Sequence, residues 1–136
     1  MNEVKNVLIK INSTVNGEAF YNEYQGEYTF KNGIHTIAYD SYSGTDMTRN
    51  GIQAAETSML LHRAGAFEGD MLFDIVSDTV VKYDAFMVGS AFLLHTDSYN
   101  ITVNDKEVRI IILYKLHDGS SQDVIDGRQE ITVSWQ

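Results

Sequence analysis

Closely spaced turn signals between stretches of alternating polarity constrain the fold of this chain more than any other feature. Asn-Gly or Asp-Gly pairs occur at 16–17, 32–33, 50–51, 118–119 and 126–127. These pairs tolerate the positive φ angles that two-residue hairpin turns require. The pattern therefore predicts an antiparallel β protein whose strands follow one another through tight turns.

Between these turns, apolar side chains recur at every second position. Period two places each apolar stripe on one face of a strand, whereas a helix would scatter it around its circumference. The clearest stripes are Val7, Ile9, Ile11 and Val15; Phe20, Tyr24, Tyr28 and Phe30; Val108, Ile110, Ile112, Tyr114 and Leu116; and Ile131, Val133 and Trp135. Further strands are predicted at 34–39, 71–76, 79–86, 91–96 and 99–103.

The segment 52–63 fits both a strand and a helix. Ile52, Ala55, Met59 and Leu60 follow a helical spacing, and Ala, Glu, Met and Leu are good helix formers. The Asn-Gly pair before this segment and the glycine-containing turn region after it favour a strand. We predict a strand, with a helix as the alternative.

These signals predict an all-β fold: a single antiparallel up-and-down β-barrel of about 8–10 strands, forming one domain over residues 1–136. Closing the meander removes the unpaired strand edges that invite aggregation. A barrel of about eight strands has an interior that side chains just fill, or that holds one small ligand. Whether the interior is hollow or packed is the question that decides function, and the sequence leaves it open.

The composition excludes several classes of function. Lys and Arg number 10 and Asp and Glu 19, giving a formal net charge of −9, which argues against nucleic acid and anionic membranes as partners. The absence of cysteine excludes thiolate catalysis and sulfur-bound metals. The N-terminal residues lack the unbroken apolar stretch of a signal peptide, so we expect none, and no segment approaches the ~20 apolar residues that span a bilayer. We expect a soluble, cytoplasmic protein without a cofactor.

Scattered positions along nearly the whole chain carry a family resemblance. They are Gly26-Glu27-Tyr28, Lys31-Asn32-Gly33, Tyr39-Asp40, Arg63-Ala64-Gly65, Met71, Phe73, Thr96, Tyr114-Lys115-Leu116 and Ile131-Thr132-Val133. In this order they resemble the YwiB-like family of small uncharacterised bacterial proteins, most familiar from Firmicutes. That family is grouped with the calycins, so the resemblance implies a lipocalin-like barrel with no assigned chemistry. One segment departs from the family pattern, because 83–89 lacks the proline of the family's Tyr-x-x-Pro-Tyr-Gly stretch.

Arg63 is the first candidate site residue. It continues the parity of Met59 and Leu61, so a strand would place its guanidinium beside the apolar interior. Such a group either anchors a ligand carboxylate or forms a structural plug that stacks on an aromatic ring. Trp135 is the natural partner for the plug, and lipocalin-like barrels often use an Arg–Trp pair in this way.

The tyrosines and histidines supply the other candidates. Four tyrosines fall on stripes predicted to face the core, where a hydroxyl needs buried water, a polar network or a polar ligand group: Tyr24, Tyr28, Tyr83 and Tyr114. Of these, Tyr28, Tyr83 and Tyr114 are candidate ligand-binding residues. An equally plain interpretation places these hydroxyls at the barrel rim. His95 completes the candidate ligand-binding set. The four histidines show no local metal-ligand spacing, so no metal site is predicted.

Two functional hypotheses follow, and neither is an enzyme, because no Gly-x-Ser-x-Gly motif, triad or metal cluster can be assembled from these spacings. The first is a barrel that binds a small, largely apolar molecule, or a peptide, non-covalently. The alternative is a packed barrel that serves as a protein-interaction or oligomerisation module. Ile111 and Leu113 lie on the face opposite the core stripe and would support a homodimer.

Overall fold

The computed structural model of the protein describes residues 3–65, 68–82, 91–117 and 124–136, and these contain ten β-strands and no helix. The strands are β1 (Lys5–Val15), β2 (Glu18–Lys31), β3 (Ile34–Ser43), β4 (Asp46–Ala54), β5 (Ser58–Gly65), β6 (Gly69–Asp74), β7 (Thr79–Lys82), β8 (Ala91–Val103), β9 (Glu107–His117) and β10 (Val124–Ser134). The predicted all-β class is confirmed.

All ten strands form one antiparallel sheet in the order β6-β5-β4-β3-β2-β1-β10-β9-β8-β7. Strands adjacent in sequence pair with each other except β6 and β7, and the first strand pairs with the last along 8–15 of β1. The sheet curls until β6 and β7 lie side by side without a ladder. Across this seam the Thr79 hydroxyl donates to the Leu72 carbonyl oxygen at 2.6 Å. The predicted up-and-down barrel is thus present in nearly closed form.

Alternate side chains of each strand point inward and form the core. Ile9, Ile110 and Phe73 are fully buried, as the period-two pattern predicts. The Phe73 ring of β6 meets the Tyr114 ring of β9 edge-on, with centroids 5.2 Å apart. These contacts join strands that are not neighbours in the sheet, so side chains fill the middle of the barrel.

The strands run alternately between two ends of the barrel. One end, which we call the Trp135 end, carries the turns at 32–33, 55–57 and 104–106, together with the start of β1 and the end of β10. The other end, which we call the Arg63 end, carries the turns at 16–17 and 44–45. Arg63 belongs to this second end because β5 starts at the turn 55–57 and runs away from it.

The turn predictions are confirmed at two of the five sites. The φ angles are 50° at Asn16 and 83° at Gly17, and 53° at Asn32 and 79° at Gly33. Each pair joins two paired strands. The turn predictions at 50–51 and 126–127 are wrong, because these residues lie within β4 and β10. The pair at 118–119 lies outside the described residues.

The segment 52–63 is extended, so the preference for strand over helix is confirmed, but it is not a single strand. It contains the end of β4, a turn at 55–57 that the Ala55 N–H closes by donating to the Ser58 carbonyl oxygen at 2.8 Å, and most of β5. Elsewhere, the strands predicted at 91–96 and 99–103 are one strand with a bulge after Thr96. The strand predicted at 79–86 is described only as far as Lys82.

Candidate functional site

The inward faces of six strands surround a cavity of about 110 Å³ at the Arg63 end, which we call the lumen cavity. Its polar lining is Ser13, Asn22, Tyr24, Tyr39, Arg63 and Gln129, and its apolar lining is Ile11, Ile52, Met59, Leu61 and Ile131. At ~30 Å³ per water, this volume holds on the order of three or four waters. Pockets for drug-sized molecules are roughly 300–1,000 Å³, so the lumen cavity fits only a compact chemical group.

Among the described residues of this lining, Arg63 is the only charged one. Arg49, Arg109 and Arg128 each lie within 3.5 Å of a carboxylate oxygen. Arg63, in contrast, has no ion pair with any residue that the structure describes. A half-buried guanidinium that lacks an anionic partner is costly to maintain, because the charge loses part of its hydration without compensation. A guanidinium placed in this way has the donors that bind carboxylates and phosphates.

The strand register explains why Arg63 faces inward. Met59 and Leu61 precede it on the inward face of β5, and Arg63 pairs with Asn50 of β4. The Asn50 amide is buried and donates to the Ser41 hydroxyl at 3.0 Å and to the Thr48 carbonyl oxygen at 3.2 Å. These bonds hold polar groups beside Arg63 inside the barrel, and they explain why Asn50 belongs to a strand rather than to a turn.

Two tyrosines form one wall of the lumen cavity. The rings of Tyr24 and Tyr39 stack with centroids 4.5 Å apart. Burial raises the pKa of Tyr39 to about 12, the positive charge of Arg63 acts against this rise, and Tyr24 adds to it. Tyr39 is therefore neutral at physiological pH and presents a hydroxyl group, rather than a phenolate, to the lumen cavity.

Arg63 also contributes to a groove on the outer surface of about 530 Å³, with His62, Ala64, Glu68, Gly69, Asp70 and Val80 as its other lining residues. In this groove His62 and Asp70 are hydrogen-bonded to each other. Arg63 thus lies between the lumen cavity and an outer groove. These two spaces differ in charge, because among the described residues the groove contains carboxylates and the lumen cavity does not.

Tyr28 and Trp135 lie at the opposite end of the barrel from Arg63. Their rings stack with centroids 5.1 Å apart, and the Tyr28 hydroxyl is hydrogen-bonded to Nδ1 of buried His35 at 2.7 Å. The cation over the Trp135 ring is the Lys5 ammonium, 4.6 Å from the centroid. The predicted Arg63–Trp135 plug is therefore wrong, since β5 and β10 end at opposite ends of the barrel.

Tyr114 is buried at the middle of the barrel. It pairs with Gly127 in the sheet, and a Cβ on Gly127 would lie 2.1 Å from Tyr114 Cζ, so the ring covers the glycine closely. A side chain at 127 would have to displace the Tyr114 ring, so glycine fits this position in β10. Thr96 pairs with Tyr114 on the other side, and its buried hydroxyl has no hydrogen-bond partner among the residues that the structure describes.

The two remaining candidate residues do not join Arg63. The His95 imidazole is on the outer surface, where Nδ1 lies 2.6 Å from Asp78 and Nε2 lies 3.2 Å from Asp97. The hydrogen bond to Asp78 raises the pKa of His95. Tyr83 lies outside the described residues. Among the candidate ligand-binding residues that the structure describes, Arg63 alone lines the lumen cavity, together with Tyr24 from the stripe predicted to face the core.

Sequence reasoning missed the polar neighbours of Arg63. Asn22 lies on the stripe of Phe20 and Tyr24, and Gln129 lies two positions before Ile131, so the same period-two count places both inside the barrel. The described residues contain no group of three potential metal ligands, and no described helix is long and apolar enough to cross a membrane.

Comparisons with known proteins agree with this architecture. The crystal structure of the YwiB protein from Bacillus subtilis superposes with a TM-score of 0.82 over 98% of this chain and 93% of that one, at 19% sequence identity. None of the curated proteins matches the chain. A family model described as a domain of unknown function, DUF1934, matches residues 4–127. The resemblance to YwiB-like proteins is confirmed, and the chain belongs to the DUF1934 family.

Proposed function

We propose that the barrel binds a small acidic molecule non-covalently, with a compact anionic group in the lumen cavity and Arg63 as its anchor. The observation that carries the proposal is the placement of Arg63, which faces this cavity without a carboxylate partner among the described residues. Guanidinium groups bind carboxylates through charge-assisted, often bidentate, hydrogen bonds. The neutral hydroxyl and amide groups around Arg63 supply further hydrogen bonds without adding charge.

The size and the apolar lining of the lumen cavity define the class of ligand. About 110 Å³ accommodates a carboxylate with a short hydrocarbon portion, and Ile11, Ile52 and Leu61 form an apolar surface for that portion. A long acyl chain does not fit among the described core residues, because Phe73 and the other inward side chains fill the lumen. The ligand is therefore a short carboxylic acid, or a larger acid that inserts only its head group.

The test uses acetate, butyrate and hexanoate as probes and follows amide chemical shifts by NMR. We expect saturable chemical-shift changes at Tyr39 and Gln129. Arg63→Gln should weaken binding by about tenfold to a hundredfold, because it removes one or two charge-assisted hydrogen bonds. Arg109→Gln is the matched control, because it removes the same charge from the outer wall. Unchanged affinity in Arg63→Gln, or no saturable shift with any of the three probes, contradicts the proposal.

A second candidate function is a packed protein-interaction or oligomerisation module. The small volume of the lumen cavity favours it, as does the outer wall of β9, where Leu113 is 40% exposed. Light scattering on the purified protein tests for the homodimer that this candidate requires. The cytoplasmic location stays a prediction.

A further inference from the structure

The barrel wall is interrupted at the Arg63 end between β2 and β3. Their pairing runs from Lys31–Ile34 to Gly26–Tyr39 and stops there. Beyond this point the β2 residues 18–25 pair only with β1, and the β3 residues 40–43 pair only with β4. We call the interval between these two stretches the strand gap. It is a second interruption, distinct from the seam between β6 and β7.

One side of the strand gap is an unpaired β-strand edge of eight residues. The two-residue turn at 16–17 makes Val15 and Glu18 a hydrogen-bonded pair, and such pairs alternate along an antiparallel ladder. The backbone groups of residues 18, 20, 22 and 24 are therefore directed at β1. Those of residues 19, 21, 23 and 25 are directed into the strand gap and have no strand to pair with among the described residues.

This edge lacks three of the devices that protect strand edges, namely proline, lysine and a bulge. Residues 18–25 contain no proline and no lysine, and their register with β1 continues without a bulge. Phe20 and Tyr21 are 47% and 52% exposed. A long, exposed edge with apolar side chains is a template for another strand, and natural proteins usually block such edges unless they use them.

The charge of the edge indicates the chemistry of the strand it accepts. Residues 18–25 carry two carboxylates, Glu18 and Glu23, and no cation. Glu27 follows on the same face as Glu23, four residues further along β2. Across the strand gap, Asp40 is hydrogen-bonded to Arg49 at 3.1 Å. Glu23 and Glu27 thus make the outer face of the β2 edge acidic, while Glu18 lies on the opposite face, in a chain with a formal net charge of −9.

We propose that the strand gap binds an extended peptide segment with lysine or arginine at alternate positions, which adds to β2 as an antiparallel strand. The backbone of the peptide pairs with residues 19, 21, 23 and 25, and its basic side chains lie beside Glu23 and Glu27. Strand addition draws affinity from the main chain and specificity from alternate side chains. This site depends on the β2 edge and not on Arg63.

The test measures fluorescence polarisation of a labelled octapeptide of alternating lysine and valine. Tyr21→Pro removes an N–H that is directed into the strand gap and is not used in the ladder with β1, whereas Tyr21→Ala keeps it. We expect binding to the wild type, retention in Tyr21→Ala, and weakening by about tenfold in Tyr21→Pro. An octapeptide of alternating glutamate and valine should bind at least tenfold more weakly than the lysine peptide.

Glu23→Lys provides a second variant that leaves the backbone unchanged. It should weaken the lysine peptide and strengthen the glutamate peptide. Equal binding of the two peptides to the wild type, or equal affinity of Tyr21→Pro and Tyr21→Ala for the lysine peptide, overturns the proposal. A wild-type dimer that Tyr21→Pro converts to a monomer, without binding of either peptide, also overturns it, because the edge would then serve a second copy of the chain.

Discussion

Gly26→Ala should destabilise the protein strongly, because the last pair of the β2–β3 ladder leaves no room for a side chain. A Cβ at this position would lie 2.3 Å from the Ala38 carbonyl oxygen and 2.8 Å from Ile9 Cδ1. The first contact is with the backbone of a paired strand, so rotation of a side chain cannot relieve it. Insertion of a methyl group into a packed site costs roughly 1–3 kcal/mol, and displacement of the ladder puts the effect at the upper end, about 3 kcal/mol.

Gly51→Ala is the matched control, because Gly51 also lies within a strand, has no positive φ and has no atom within 4 Å of its Cβ position. Alanine there should stabilise the protein by about 0.4–1 kcal/mol, since it reduces the entropy of the unfolded chain. Urea unfolding measures both changes. At roughly 3–4 °C per kcal/mol for a chain of this size, Tm should fall by about 10 °C in Gly26→Ala. Equal effects of the two substitutions would refute the argument from close approach.

The other predictions concern buried polar groups. Burial lowers the pKa of His35, so the folded state binds fewer protons at this site than the unfolded chain does. The contribution of neutral His35 to stability is therefore complete above about pH 6.5 and is lost as the pH falls through the lowered pKa of the folded state. The urea concentration at the midpoint of unfolding should accordingly decrease when the pH is lowered from 7.5 to 5, and it should decrease less in His35→Gln. An identical pH dependence in the wild type and His35→Gln would contradict this assignment. Thr96→Val should raise the free energy of unfolding by about 1 kcal/mol, because it replaces a buried hydroxyl that has no partner in the described part of the chain by a methyl group of similar size. A loss of stability in urea unfolding would show that the hydroxyl is satisfied.

The strands and two of their turns are predictable from the sequence, because alternation of polarity and turn dipeptides are local properties of the chain. Asn16-Gly17 and Asn32-Gly33 adopt positive φ angles and turn the chain, as these dipeptides do in hairpins generally. The same dipeptide at 50–51 lies within a strand because Asn50 makes buried hydrogen bonds to residues of β3. Those partners come from the register between strands, which a dipeptide does not encode.

The predicted contact between Arg63 and Trp135 is wrong because of a single missed turn. A single strand over 52–63 would run to the Trp135 end, and Arg63 would then meet Trp135. The turn at 55–57 reverses the chain once more and places Arg63 at the other end. The inward parity of Arg63 was predicted correctly even so, because Met59, Leu61 and Arg63 all belong to β5.

The two ends of the barrel differ in a way that restricts where a ligand can act. At the Trp135 end, stacked rings of Trp135 and Tyr28 lie over the apolar core, and the Tyr99 hydroxyl donates to the Ala55 carbonyl oxygen at 2.6 Å. At the Arg63 end, the lining is polar and the wall opens between β2 and β3. Asn22 and Tyr24 belong both to the lumen cavity and to the unpaired stretch of β2. A strand added at the edge would therefore order the same residues that surround a bound anion, so the two proposed ligands should each strengthen the binding of the other.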